Sequence, residues 1–545
     1  MLRLSVPSPA AVVRTVSSAG LELLGAHRAR RSWSGHGRAW IEVRGIDAQD
    51  GHWLADAVAT EVRAVPGVRW AETNRALARL VVECEPEGPS VEGLCALVCE
   101  IEERFSGSVG NEDSDKAPRS ADLPCDSAVV AGRLVALGAD AVGLGLATAG
   151  RLFRWPRLPG AALAAVVLID SQPRIRRVVE GRLGAEAADV VLATATAAAQ
   201  AFAQGPASLT VDLVLRTVLL AEARAAQQAW HRDEPMLAQS ASCAEAPVRR
   251  SRPVPVPPGP IERYSDVAAT GGLAAAAAIA LSTGGSGAGA DAVLVAAPRA
   301  TRAARETFVA TLAAGLSARC GSLVLRPSAL RRLDRIDAVV LDPRALVGSQ
   351  LSVAEVRGVE GIARTRVWQA AGEDVNDGLL GPGWHPLSAM SPAHELENVP
   401  ADVRVLISPL RDPLSEVLVA AARAAELDVT SLDVPELGTL RSAFDNLVAC
   451  DGDVDEALCE AVRDLQRAGR CVAVFGASAP HAFANADLAI ALTNPHDTVA
   501  WTADVLVPDL TVAWRLMVAV PAARRASRRG VELAAGGAVL GGLLM

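Results

Sequence analysis

From Arg335 to the end of the chain, short apolar runs alternate with longer segments whose apolar positions recur every three or four residues. DAVVLD (337–342), VRVLISPL (403–410), LDVTSLD (427–433), RCVAVFG (470–476), DLAIAL (487–492) and ADVLVP (503–508) have the length and content of buried strands. Between them LSEVLVAAARAA, ELGTLRSAFDNLV, DEALCEAVRDLQRA and LTVAWRLMVAV carry the period of amphipathic helices. The alternation predicts an α/β domain with a parallel, doubly wound sheet. Right-handed crossovers bring the strand C-termini to one edge, where a ligand site would form, and Asp342 closes the first of these strands.

Residues 38–105 follow a different order: strand (RAWIEVRGI), helix (HWLADAVATEVRAV), a turn at Pro66-Gly67, two strands (VRWAETN, ALARLVVEC) and a helix (VEGLCALVCEIEERF). This βαββα order lacks one strand of the ferredoxin-like plan. The loop GIDAQDGHW resembles the metal-binding loop of heavy-metal-associated domains, but Ala48 and Gly51 stand where those domains carry two cysteines. Without thiolates a soft metal has no ligands, so the resemblance implies a metal-free relative. Cys95 and Cys99, a helical turn apart, read as residues of a buried face.

Four apolar segments follow the polar stretch 106–124: 128–150, 158–170, 188–203 and 208–223. A bilayer-spanning helix needs about 20 apolar residues, and an internal Arg or Asp costs about 2.5 to 3.5 kcal/mol near its centre. Arg133, Asp140, Asp212 and Arg216 weaken these segments as spans, and an Ala-rich soluble bundle stays open as an alternative. HRDEPMLAQSASCAEAPVRRSRPVPVPPGP (231–260) has the composition of an extended Pro-rich linker. GGSGAG (284–289) leaves an alanine helix instead of following a strand, so a turn is expected there and not a phosphate cradle. These patterns divide the chain into a helical lead-in (1–35), a ferredoxin-like unit (36–105), a linker (106–124) and an Ala-rich helical or membrane region (125–230). A Pro-rich linker (231–262), a second helical region (263–318), the α/β domain (319–527) and the start of a further membrane helix (528–545) complete it.

Composition sharpens two points. Mean hydropathy is +0.25 and aromatics make up 3%, which favours Ala-rich membrane or bundle helices over a purely soluble enzyme. A net charge of -9 gives no electrostatic reason to expect nucleic acid. The nine cysteines are odd in number and scattered, as suits a reducing compartment, and Lys116 is the single lysine.

Several pieces in one order resemble the phosphorylation region of P-type cation-transporting ATPases. They are APRATRAARETF around Pro298, RCGSLVLRPSALRRLDRIDAVVLD, RDPLSEVL, DLQRAGRCVAVFG, ANADLAIAL and ADVLVPDLTVAWRLMVAV. The resemblance covers most of the chain and is greatest to the amino-terminal half of the large actinobacterial ATPase I type. It implies a haloacid-dehalogenase-like (Rossmann-like) domain with Asp342 at the nucleophile position and Ser431 at a phosphate-binding position.

Phosphoryl transfer to an aspartate needs positive charge and Mg²⁺ around the moving group. The family's DKTGT reads Asp342-Pro343-Arg344-Ala345-Leu346 here, its TGD reads Ser431-Leu432-Asp433, and its lysine falls on Leu458. The GDGxND loop becomes GASAPHA (476–482), without a carboxylate; His481 and Asp487 nearby read as ordinary structural residues. Pro343 to Leu410 is too short for the family's nucleotide-binding domain, and no TGE-type loop lies between Asp170 and Pro260. The chain ends inside an expected fifth membrane helix, as half of a larger pump or a truncated relic would.

The favoured reading is a multi-pass cell-membrane homologue that has lost catalysis and serves as an accessory half or scaffold for an active pump or companion chain. It expects no cofactor, no metal and no nucleic-acid partner. The alternative is an active cation-transporting ATPase, using Mg and ATP and phosphorylated at Asp342. A soluble dehalogenase-like phosphatase is the third, and it needs an acid at the place that Arg344 occupies.

Overall fold

A computed structural model of the protein describes residues 30–48, 50–106, 123–154, 185–202, 206–242, 247, 250–283, 299–394, 396, 399–450, 452–493 and 498–544. The expected lead-in helix, most of the polar linker after Ser106, the apolar segment 158–170 and the GGSGAG turn lie outside them.

The α/β domain is built on a seven-stranded sheet. Its strands are β5 (Leu323–Val324), β6 (Ala338–Leu341), β10 (Asp428–Leu432), β11 (Asn446–Val448), β12 (Val472–Gly476), β13 (Leu488–Leu492) and β14 (Val505–Val507), in the order β11-β10-β6-β12-β13-β14-β5. All pairings are parallel except β14 with β5. Counted along the parallel strands the order is 3-2-1-4-5-6, with the reversal of direction between β6 and β12. Every residue of β6, β12 and β14 is buried, because helices cover both faces, and this is why these strands are continuous apolar runs. One face carries α9 (Leu414–Ala424) and the first turns of α12 (Leu510–Leu544); the other carries α10 (Val454–Arg467) and α11 (Pro480–Asn485). Helix α10 starts on a capping side chain, Asp453, whose Oδ1 accepts from Glu456 N at 2.9 Å, and it buries Leu458, Ala461 and Val462.

Two expectations are corrected here. VRVLISPL is not in the parallel sheet: as β9 (Arg404–Arg411) it is the central strand of a three-stranded antiparallel sheet with β7 (Val347–Arg357) and β8 (Gly383–Pro386). Val403, Val405 and Ile407 bury one face only, against Val367 and Ala371 of α8 (Gly361–Asn376), so the run is half-buried and an apolar count cannot assign its sheet. Pro343 to Leu410 is thus largely a small unit with its own core. ELGTLRSAFDNLV is likewise not an α-helix: Gly438 at φ 50° breaks the 3₁₀ turns of Pro435–Ala443, and the chain then extends into β11.

The N-terminal unit is a four-stranded antiparallel sheet, order β1-β2-β4-β3, of β1 (Ser32–Gly35), β2 (Arg38–Glu42), β3 (Val68–Asn74) and β4 (Arg79–Cys84), with α1 (His52–Arg63) and α2 (Val91–Ser106). The extra strand beyond βαββα is the N-terminal hairpin partner β1. Alternation along β2 and β4 sends Ala39, Ile41, Leu80 and Val82 to the helices, and Trp40 and Val81 to the opposite face. That second face is covered by the rest of the protein. Trp40 packs edge-on at 5.0 Å against Trp230 and lies 5.9 Å from Trp501, while Trp33 lies 6.5 Å from Trp230. Of the two α2 cysteines, Cys95 is partly buried and Cys99 is exposed.

Long helices connect the two units: α3 (Ser127–Leu152), α4 (Ala185–Phe202), α5 (Pro206–Leu237), α6 (Pro260–Thr283) and α7 (Arg299–Arg319). Residues 231–237, expected as linker, continue α5, and Glu234 within them is fully buried, bonded to Arg38 and to Trp40 Nε1 at 3.0 Å. Part of the Pro-rich stretch runs along the α/β domain: Arg252 pairs with Asp487 at 3.0 Å. The helices meet that domain through Arg331 with Glu222 (3.0 Å) and Glu306 (2.6 Å), and through Glu262 with Arg335 (2.8 Å), Glu262 of α6 being held also by Arg305 of α7 (2.7 Å). Among the described residues one helix is long and apolar enough to cross a bilayer, over Ala128–Leu152.

Candidate functional site

Asp342 follows the last residue of β6, and Gly476 ends the neighbouring β12, so both lie where the strand order reverses. The local sequence fixes the aspartate. Asp-Pro is an N-cap followed by a proline at the first helical position, and Asp342 caps the single turn Pro343–Leu346 by accepting from Arg344 N at 2.9 Å. The same turn swings the Arg344 side chain back over the carboxylate. Arg344 Nε lies 3.0 Å from Oδ1 and Nη2 lies 2.9 Å from Oδ2, and Nη2 also donates to Ser478 O at 2.6 Å. Ala477 N completes the set, 3.3 Å from Oδ2.

The carboxylate is therefore fully buried and matched on both oxygens by donors, one of which carries a full charge. Gly476 makes the fit possible: a Cβ there would stand 3.1 Å from Asp342 Cβ and Oδ2, and 3.2 Å from Phe483 Cζ. Burial works against the charge on Arg344, but Asp342, with Asp455 and Asp453 beyond it, outweighs that effect and holds the guanidinium above its ordinary range.

The other residues singled out from the sequence are each engaged within the fold. Ser431, at the end of β10 beside β6, is fully buried and donates its hydroxyl to Leu341 O at 2.7 Å, so its proton is committed to the sheet. Asp433 pairs with Arg441. Leu458 is wholly within the core between α10 and the sheet, where a lysine would have to be buried. His481 Nδ1 lies 2.8 Å from Asp455, whose two oxygens also accept from His481 N and Ala482 N at 2.9 and 3.0 Å and so cap α11. Asp487 holds Arg252 and accepts from Val472 N at 2.9 Å.

Sequence reasoning noted Arg344 only as the wrong residue for a second acid and missed its grip on Asp342. The signal was present in the Asp-Pro-Arg spacing. The Asp455 cap had no local signal, since its partners lie in a distant segment.

Magnesium needs several hard oxygens in near-octahedral geometry. Asp342 is neutralised by Arg344, Asp455 spends both oxygens on the start of α11 and Asp453 one on the start of α10, and no group of three His, Cys, Asp or Glu side chains forms a metal cluster among the described residues. As arranged, the donor set does not fit the ion.

No family model matches the sequence. It is 32% identical over 564 residues to the probable cation-transporting ATPase I of Mycobacterium tuberculosis (strain H37Rv), covering 91% of this chain and 34% of that protein. To the protein of the same description from Mycobacterium leprae it is 31% identical over 578 residues, covering 91% and 35%. Among solved structures, a zinc-transporting PIB-type ATPase in its E2.Pi state aligns at 17% identity with a TM-score of 0.37, over 60% of this chain and 62% of that one. The chain spans about a third of the length of the curated relatives it matches. It is thus a homologue of the P-type cation-transporting ATPases, aligned with them along nearly its whole sequence.

Proposed function

We propose that this chain is a membrane-associated P-type ATPase homologue that does not form a phosphoenzyme and serves as an accessory half or scaffold beside an active pump or companion chain. In this reading the seven-stranded unit is haloacid-dehalogenase-like and the N-terminal unit is a metal-free relative of the heavy-metal-associated domains. The observation that carries the proposal is the Arg344 clamp: a guanidinium within 3.0 Å of both oxygens of Asp342 occupies the space and supplies the charge that a phosphoryl group and its metal need. Ser431 committed to Leu341 O and the buried Leu458 support it. Membrane association is inferred from the homologues and from the Ala128–Leu152 helix.

Incubation of the purified chain with γ-labelled ATP and Mg²⁺ should leave it unlabelled after acid quench. Acid-stable, hydroxylamine-sensitive label that disappears in Asp342→Asn would establish the other reading, an active ATPase. One observation favours that alternative: the Arg344 side chain is 42% exposed and so has room to swing away from Asp342.

A further inference from the structure

Three of the four charges that weaken the apolar helices as membrane spans, Asp140, Asp212 and Arg216, are gathered in one place. Asp140 is at the middle of the Ala128–Leu152 span, yet it is only 3% exposed, whereas its neighbours Val142 and Leu146 are 64% and 41% exposed. It turns into the bundle formed by α3, α4 and α5, where Arg216 Nε lies 3.8 Å from its Oδ2. Asp212, a turn before Arg216 on α5, accepts from Gln200 Nε2 of α4 at 3.1 Å. That bond fixes the amide and leaves Gln200 Oε1 as an acceptor. Gln200 is 1% exposed, and among the described residues neither its Oε1, nor Asp140 Oδ2, nor Thr196 Oγ1 one turn away on α4 has a hydrogen-bond partner.

Buried polar oxygens without donors are costly, and inside a membrane more so. Among the described residues the charges acting on Asp140 are those of Arg216 and Asp212; two carboxylates to one guanidinium leave this trio with a single negative charge. One small monovalent cation would balance that charge and satisfy the oxygens; a divalent ion would overshoot it. Hard alkali cations take carboxylate, amide and hydroxyl oxygens as ligands.

We propose that Asp140, Gln200 and Thr196, beside the Asp212–Arg216 pair, form a binding site for one alkali-metal cation between α3, α4 and α5. The proposal rests on the membrane reading and is independent of whether Asp342 is silent. The test is equilibrium dialysis of the full chain in lipid nanodiscs against sodium-22 and rubidium-86, with N-methylglucamine holding ionic strength. Saturable binding of one ion per chain is expected, weakened at least about tenfold in Asp140→Asn and in Gln200→Leu. Arg216→Gln should move the preference toward Ca²⁺, because it doubles the uncompensated charge. Absence of saturable binding by the wild-type chain, or unchanged binding in whichever of the first two variants folds, overturns the site. The membrane reading fails separately, if the expressed chain stays in the supernatant after ultracentrifugation without detergent.

Discussion

Arg79 Nη2 lies 3.0 Å from Asp126 Oδ2, and both side chains are out of contact with solvent. The pair joins the last strand of the N-terminal sheet to the residue that precedes α3. Removing one member leaves the other charge buried, at a typical cost of about 3 to 5 kcal/mol. Asp126→Ala should therefore lower the thermal midpoint strongly. The double variant Arg79→Met with Asp126→Leu should recover part of the loss, and a thermal-denaturation double-mutant cycle measures how much.

Gly476→Ala tests the close approach of β12 to the aspartate. The added methyl group meets Asp342, pinned by its donors, and Phe483, a buried residue of α11, so neither yields easily. A loss of about 1 to 3 kcal/mol is expected, measurable by chemical denaturation, with Gly476→Val worse than Gly476→Ala.

Arg344→Ala strips Asp342 of its charged partner while keeping the backbone cap. A cost of about 1 to 3 kcal/mol follows from the lost charge-assisted bonds, discounted because the guanidinium is partly exposed. The variant should still take no label from ATP, since Leu458 and the carboxylate-free 476–482 loop are unchanged. Labelling of Arg344→Ala alone would mean that the clamp is the single block.

Leu458→Lys places a cation at the position where the resemblance implies a lysine. In this protein the site is closed on all sides by α10 and the sheet, so the substitution should destabilise by at least about 3 kcal/mol and give no phosphoenzyme. Circular dichroism melts and the labelling assay read the two parts separately.

Thiol reactivity should divide by depth. Burial, reinforced by the charges of Asp487 and Asp337, pushes the Cys471 thiol well above its ordinary range, and burial with Asp126 does the same to Cys125. A maleimide added at pH 7 to 9 should label exposed Cys99 quickly in the native chain and reach Cys471 and Cys125 only after unfolding. Raising pH across that window should not bring the buried pair into reaction, because their thiolates do not form there.

The parallel core was legible because strands buried on both faces must be continuous apolar runs, as in β6 and β12. The antiparallel insert was not, since β9 has a similar apolar content and only its partners, distant in sequence, decide its sheet. Asp342 was legible by position, but what holds it was not: the grip of Arg344 depends on a turn that places two side chains together, and Ser431 could be placed by order while the direction of its hydroxyl could not. Gly438 carried the signal against a helix over 436–448, and the apolar count outvoted it.

Four of the ten indoles, those of Trp33, Trp40, Trp230 and Trp501, converge where the N-terminal sheet meets α5 and the α/β domain. Their emission colour therefore acts as a built-in gauge of undocking: if the sheet lifts away while the rest stays folded, water reaches these rings and fluorescence shifts to the red ahead of any change in helical content.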